Sequence, residues 1–423
     1  MSSVRSRVVS WIGRKYLARA LRNGFDPGAM RFLPKSALMP LRRDGLDPVP
    51  EMAKLRADQP ISKMPLPVGM TVWLVTGHAE AKAILSHPDF SNDFTHLVGS
   101  AGVTAEQNPG GLGFTDPPAH TRLRKLLTPE FTMRRLGRLE PLIQQIVDDQ
   151  LDTIAAAPGP VDLVETFALP IPSLAICELL GVPYEDRADF QRLGAARFDL
   201  FAGAGASLGA INESLAYLLE IVKGQRRTPG DGLLGMLVTE HGDDVSDREL
   251  AELADGLLTG GFETTASMLA LGAIVLLRDP ATFEALRTDD EAVGPIVEEM
   301  LRYLTVVQVA FPRVATTDME IAGTSIATGD VVLVSLSGAD RDAAFGADAG
   351  EFSGKRPPSP HLAFGHGIHR CIGAELARME LRIAYPSLVR RFPKLRLAKP
   401  EPELAYRQLS IVYGVDSLPV LVD

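Results

Sequence analysis

The chain has 423 residues, 46% of them hydrophobic, two cysteines and a formal net charge of -10. A large core is easily built from this length and composition, while the acidic balance excludes nucleic acid as a partner, since phosphate binding needs a concentrated basic surface. Two isolated cysteines exclude a disulfide framework and fit a reducing, cytoplasmic compartment.

The first 24 residues hold Arg5, Arg7, Arg14, Lys15, Arg19 and Arg22 and no acid. Val4, Val8, Trp11, Ile12 and Tyr16 recur among them at helical spacing. Two placements fit such a basic amphipathic helix: weak contact with a membrane surface, or packing against the acidic remainder of the chain, which is preferred. No uninterrupted apolar run reaches the length of a transmembrane helix, and no secretory h-region with a cleavage site is present. From Asp26 to about Pro67 proline and basic residues predict an extended entry segment. The chain is therefore divided into an N-terminal extension and entry segment, 1–64, and one domain, 65–423.

MTVWLVTG at 70–77 predicts a strand and HAEAKAILSHP a helix after it. GSAG, NPGG and TDPP within 91–119 contain too many turn formers for regular structure, so a long functional loop is expected. HTRLRKLLTPEFT, 120–132, predicts a helix in which His120 and Arg124 share a face and can converge on one carboxylate. A solvated basic helix explains the same residues, and Arg122 and Lys125 lie off that face, free for a partner. Residues 135–225 are predicted mostly helical, with a stretch of glycine and small residues at 196–211.

Ser246 and Glu249 form a capping box, with Val245 and Leu250 at the staple positions, and Pro280 bounds the helix they start. The 32 residues Asp247–Arg278 would cross a whole domain. Inside lies GGFETT, 260–265. Gly260 and Gly261 each cost about 1 kcal/mol relative to alanine in a helix, so room for a ligand or a packing site is expected. Glu263 and Thr264 set an acid beside a hydroxyl that can bond back to the helix and open a kink. In EEMLRY, 298–303, Glu299 and Arg302 are i, i+3 neighbours that can pair.

HLAFGHGIHRCIG, 361–373, places Cys371 where a loop becomes a helix, and helix-terminal amides there stabilise a thiolate. Gly365 and Gly367 allow a close backbone approach to a flat ligand. Three readings compete: a small buried hydrophobe, a zinc site of His361, His366, His369 and Cys371, and a haem iron held by one thiolate. The zinc reading lacks a second, separated pair of ligands and any HExxH motif.

FGHGIHRCIG, 364–373, resembles the haem-loop pattern F-G-x-G-x-H-x-C-x-G of the cytochrome P-450 family of haem-thiolate monooxygenases at every specified position. The resemblance implies that Cys371 is the axial ligand of haem b, that Phe364 packs near its sulfur, and that His369, His120, Arg124 and Arg313 bind the propionates. GGFETT resembles the family's A-G-x-D/E-T segment with Gly260 for alanine, which implies that Thr264 meets dioxygen and Glu263 relays protons. Glu299 and Arg302 match E-x-x-R. ADRDAAFGADAGEF, 339–352, departs from N-R-D-P...P-x-R-F: Asp340 replaces asparagine, Ala343 proline, and Glu351 the arginine of the core ion-pair network, for which Arg356 is the substitute on offer.

The fold implied is mainly α with a smaller β-rich part, one prism-shaped domain with haem between two helical layers. Residues 196–211 would be a lid, 305–311 would border the pocket, and LSIVYGVDSLPVLV would be a closing hairpin whose turn enters it. The activity implied is hydroxylation of an unactivated C–H bond of an apolar, lipid-like molecule: a fatty acid, terpenoid, steroid or polyketide. Electrons would come from NAD(P)H through a reductase and a ferredoxin docked near Arg122, Lys125 and Arg370. The alternatives are a haem-thiolate peroxygenase and a non-catalytic haem or gas-binding protein.

Overall fold

The Asp247–Arg278 helix starts and stops as its sequence predicts. Ser246 Oγ accepts from the Glu249 amide at 3.2 Å, Glu249 Oε2 accepts from the Ser246 amide at 3.0 Å, and Val245 and Leu250 are buried beside this box. This helix is apolar and long enough to span a bilayer, but 78% of its most hydrophobic stretch is buried by other elements of the chain, which makes it a core helix. The computed structural model that shows this describes residues 37–64, 71–93, 95–96, 111–182 and 204–423, with side chains from 213 in the last stretch. The basic residues 1–24, most of the turn-rich 91–119 segment and the first half of the 196–211 segment lie outside the described residues.

Helices Pro170–Leu180, Ala204–Arg227 and Ala374–Arg391 pack directly on the central helix, and Glu140–Ala156 and Asp290–Leu304 complete the helical body. Apolar side chains from these elements form two large clusters, one on each half of the central helix. The β-rich part is a five-stranded sheet in the order Ile61–Lys63, Val72–Val75, Val331–Val334, Arg313–Ala315, Phe90–Ser91. Val72–Val75 and Val331–Val334 run parallel and the other pairs antiparallel. The protein is thus mainly α with a smaller β-rich part, as expected.

Two local expectations are corrected. The entry segment is structured: Pro50–Asp58 is helical, and Ile61–Lys63 pairs with Val72–Val75 across the boundary expected at 64/65. Upstream of both, Arg43 is buried, donating to Gln308 Oε1 at 3.0 Å and to the Thr305 carbonyl at 2.9 Å, so this stretch is part of the body. The helix expected over 120–132 is Ala119–Leu127. Pro129 ends it: Thr128 before it still has helical geometry, but proline lacks the amide to continue the ladder.

Candidate functional site

The loop around Cys371 is closed by its amide, which donates to the Phe364 carbonyl at 2.8 Å. Gly365 and Gly367 take φ of +68° and +74°, conformations that side chains resist, and Gly367 lies against the Leu85 carbonyl so closely that a Cβ would collide. The loop is thereby seated on the His78–Ser86 helix. Burial pushes the thiol up, while the Gly373 amide and the charges of Arg370, Arg124 and Arg378 act against it. Solvent nevertheless reaches Cys371. Both observations hold for a side chain that lines a cavity inside the protein.

Beside this loop stands a set of largely desolvated donors, one of them without an acceptor. His120 is 2% exposed and its Nε2 has no partner, although a buried polar atom ordinarily has one. Its ring lies 4.3 Å from that of His369, whose Nδ1 is 3.1 Å from the Leu112 carbonyl. Burial, then the charges of Arg313 and His120, bring His369 down to about 3. Arg313 is buried and brought down to about 10 by desolvation, with only Asp116 opposing. Arg124 is half-buried and donates to the Arg370 carbonyl at 2.8 Å. A thiol that lines a cavity, with desolvated donors short of an anion beside its loop, is the donor set that haem with its propionates fits.

One face of the central helix is open. Gly256 and Gly260 are exposed, nothing stands within 4 Å of where their Cβ atoms would be, and Thr264 follows on the same face at the next i+4 step. Thr264 Oγ1 donates to the Gly260 carbonyl at 2.7 Å. Gly261 serves packing instead, because a Cβ there would stand 2.7 Å from Ile176 Cδ1. Glu263 is buried and ion-paired with Arg407 of the C-terminal hairpin. Sequence reasoning missed Arg407, which lies 144 residues away with no motif around it.

Beneath the loop the altered meander is fully tied. Arg302 binds Glu299 through Nε and Nη2 at 2.7 and 2.8 Å, and Arg356 Nε donates to the same carboxylate at 3.1 Å, completing the network where Glu351 stands in sequence for the expected arginine. Asp340 accepts from the Leu362 amide at 2.7 Å and Thr305 Oγ1 at 2.8 Å. A second carboxylate that sequence reasoning passed over, Glu298, holds His361 Nε2 at 3.1 Å and Arg378 Nε at 2.6 Å, and Arg378 lies 4.6 Å over the Phe364 ring. His361 is therefore engaged, and among the described residues no three potential ligands gather for a metal ion, which removes support for zinc. Arg122, expected to be free, is paired with Glu249, whereas Lys125 is exposed.

The family model described as cytochrome P-450 matches residues 220–413. Cytochrome P-450 165B3 from Amycolatopsis orientalis is 38% identical over 391 residues, covering 90% of this chain and 97% of the relative. The nocardicin C N-oxygenase of Nocardia uniformis subsp. tsuyamanensis is 41% identical over 382 residues, 89% of this chain and 96% of the relative. Among solved structures, OxyE, a cytochrome P-450 involved in teicoplanin biosynthesis, superposes with a TM-score of 0.83 at 38% identity, covering 92% of this chain and 100% of its own.

Proposed function

Since the chain belongs to the cytochrome P-450 family and is a monooxygenase of the bacterial type, we propose that it hydroxylates an unactivated C–H bond of an apolar small molecule, with electrons from a ferredoxin-type donor. The observation that carries this reading is the gathering at the Cys371 loop of His120, whose buried Nε2 has no partner, with His369 against its ring and the desolvated Arg313 acting on His369. Cys371 would hold the haem iron, His120, Arg124, Arg313 and His369 its carboxylates, and Phe364, braced by Arg378, the proximal side. Bound there, haem supplies dioxygen reduction and insertion of one oxygen atom into the substrate, consuming two electrons and two protons.

The chain's own residues orient that chemistry. Gly256 and Gly260 leave the helix face open, and the Thr264 hydroxyl, already donating to Gly260, presents oxygen lone pairs to the open side. Glu263, on the adjacent position, is the proton carrier. Phe311, half exposed and edge-on to Phe114 at 4.8 Å, offers the apolar surface that excludes water from a substrate. Fatty acids, terpenoids, steroids and polyketides all meet that demand. Kinship with a nocardicin C N-oxygenase and a teicoplanin-pathway enzyme favours a scaffold of antibiotic type. Lys125 and Arg370 are the docking cations for the donor, and the site of action is the cytoplasm.

The test is the difference spectrum of the dithionite-reduced protein with and without carbon monoxide, beside Cys371→Ser. A strongly red-shifted Soret band in the wild type, lost in the variant, is expected. A histidine-type band in both would overturn the ligand assignment. Product formation that requires NADPH, reductase and ferredoxin separates the monooxygenase from a peroxygenase, which would run on peroxide alone.

A further inference from the structure

We propose that Arg407 is a positioning residue for proton delivery: it holds the Glu263 carboxylate on the C-terminal hairpin and releases it toward the Thr264 face when the hairpin shifts. The inference rests on the reading of Glu263 as proton carrier given above. Glu263 is 5% exposed, and a carboxylate so placed needs a cation or a set of donors. Arg407 Nη1 provides the pairing. Adjacent helical residues point about 100° apart and do not face each other. While it is bound to Arg407, the Glu263 carboxylate therefore faces the hairpin, and the Thr264 hydroxyl faces the open groove beside Gly260. Proton transfer between them needs the acid to leave its arginine.

The surroundings make that departure cheap. Arg407 Nε donates to Asp416 Oδ1 at 3.0 Å and Nη2 to the Val415 carbonyl at 3.3 Å, so the guanidinium stays paired after letting go of Glu263. The Asp416 side chain is 63% exposed and leads to solvent. One helical turn beyond Glu263, Ser267 is buried with an Oγ that has no partner. That hydroxyl, on the face of Glu263, can donate to the carboxylate as it leaves the guanidinium, before the acid turns toward Thr264. Gly414 brings the hairpin this near, since a Cβ there would lie 2.8 Å from Ser267 Oγ. The hairpin joins Arg407 to Gly414 by a 2.9 Å backbone bond, and near its tip Ile411 is 46% exposed and accepts from the Gln308 amide at 2.9 Å. Because that bond ties Arg407 to the hairpin's other strand, a shift of the hairpin would carry Arg407 with it.

The haem-loaded full chain is compared as wild type, Arg407→Gln, Arg407→Lys, Asp416→Asn, Glu263→Gln and the Glu263→Gln, Arg407→Gln double variant. Dioxygen consumption is driven by NADPH with a surrogate ferredoxin and its reductase, in H2O and in D2O. Arg407→Gln is expected to change the rate by on the order of tenfold, short of the ~10²–10⁴ that a positioned proton donor contributes in full, and to alter the solvent isotope effect. Arg407→Lys restores both. Asp416→Asn leaves Arg407 more firmly on Glu263 and slows turnover. Infrared spectra give a readout independent of turnover: Arg407→Gln gains a protonated-carboxyl band that is absent from the double variant, because an unpaired buried carboxylate takes up a proton. An Arg407→Gln effect of equal size with and without Glu263, or no new band, overturns the proposal. If Glu263→Gln alone leaves rate and isotope effect unchanged, the underlying role of Glu263 fails and the proposal falls with it; an effect of Glu263→Gln with none of Arg407→Gln sinks the positioning role alone.

Discussion

Removing the Glu298 carboxylate would untie two segments at once, because His361 at the start of the Cys371 loop and, on the following helix, Arg378 and, at 3.6 Å, Arg382 all turn to it. Burial pushes this carboxyl up, but hydrogen bonds from His361 and Arg378 and the charge of Arg378 outweigh it and bring Glu298 down to about 2. Because the folded value lies below the unfolded one, near 4.5, the stabilisation is present above that pH and disappears as pH falls toward 2. The difference corresponds to at most about 3 kcal/mol, reduced by solvent screening because the carboxylate is only partly buried. Glu298→Gln is thus expected to be less stable by up to that amount at pH 7 and to lack the wild type's extra loss between pH 5 and 2. Denaturant midpoints measured across that range check it, and parallel curves for the two proteins would refute it. The neighbouring Glu299 and Arg302 were legible in EEMLRY because their pairing is local in sequence. Glu298 was not, since its partners stand 63 and 80 residues away and only the fold brings them to it. Arg356 was legible as a substitute only because an arginine was expected nearby.

At the scale of elements, the central helix was the most legible part: its capping box and terminal proline are local chemistry, and its bounds agree with them. What its sequence did not disclose is the division of labour between two adjacent glycines. Gly260 faces open space, and Gly261 faces Ile176 of the Pro170–Leu180 helix, whose approach no local pattern encodes. The two substitutions should therefore differ in sign. Gly260→Ala gains up to about 1 kcal/mol of helix propensity with no clash, and it narrows the groove next to Thr264. Gly261→Ala gains the same propensity but must displace Ile176 Cδ1 from 2.7 Å, and overpacking of this kind costs about 1–3 kcal/mol. Thermal melting of the holoprotein is expected to rise for Gly260→Ala and fall for Gly261→Ala, while binding of an azole probe weakens only in the first. Equal shifts in melting would mean that the Pro170–Leu180 helix yields freely.

Across the whole molecule, charge sets two fields of different reach. The net charge of -10 repels an acidic electron donor at a distance, while Lys125 and Arg370 are exposed on neighbouring segments tied together by the Arg124 bond to the Arg370 carbonyl. Arg122, on the same helix as Lys125, is engaged by Glu249 and offers less to a partner. The sequence could count these charges but not pair them, because the Arg122 partner lies 127 residues on. The screening length falls from ~30 Å at 0.01 M salt to ~10 Å at 0.1 M and ~3 Å at 1 M. At the lowest ionic strength the donor therefore meets the repulsion of the whole acidic molecule; near 0.1 M it meets chiefly the local cations, and at 1 M neither. Stopped-flow reduction by an acidic ferredoxin should accordingly pass through a maximum at intermediate salt. Lys125→Glu with Arg370→Glu should abolish the maximum, and Arg122→Ala should lower it only slightly. A rate that changes monotonically with salt and is the same in all three proteins would place the docking surface elsewhere on the molecule.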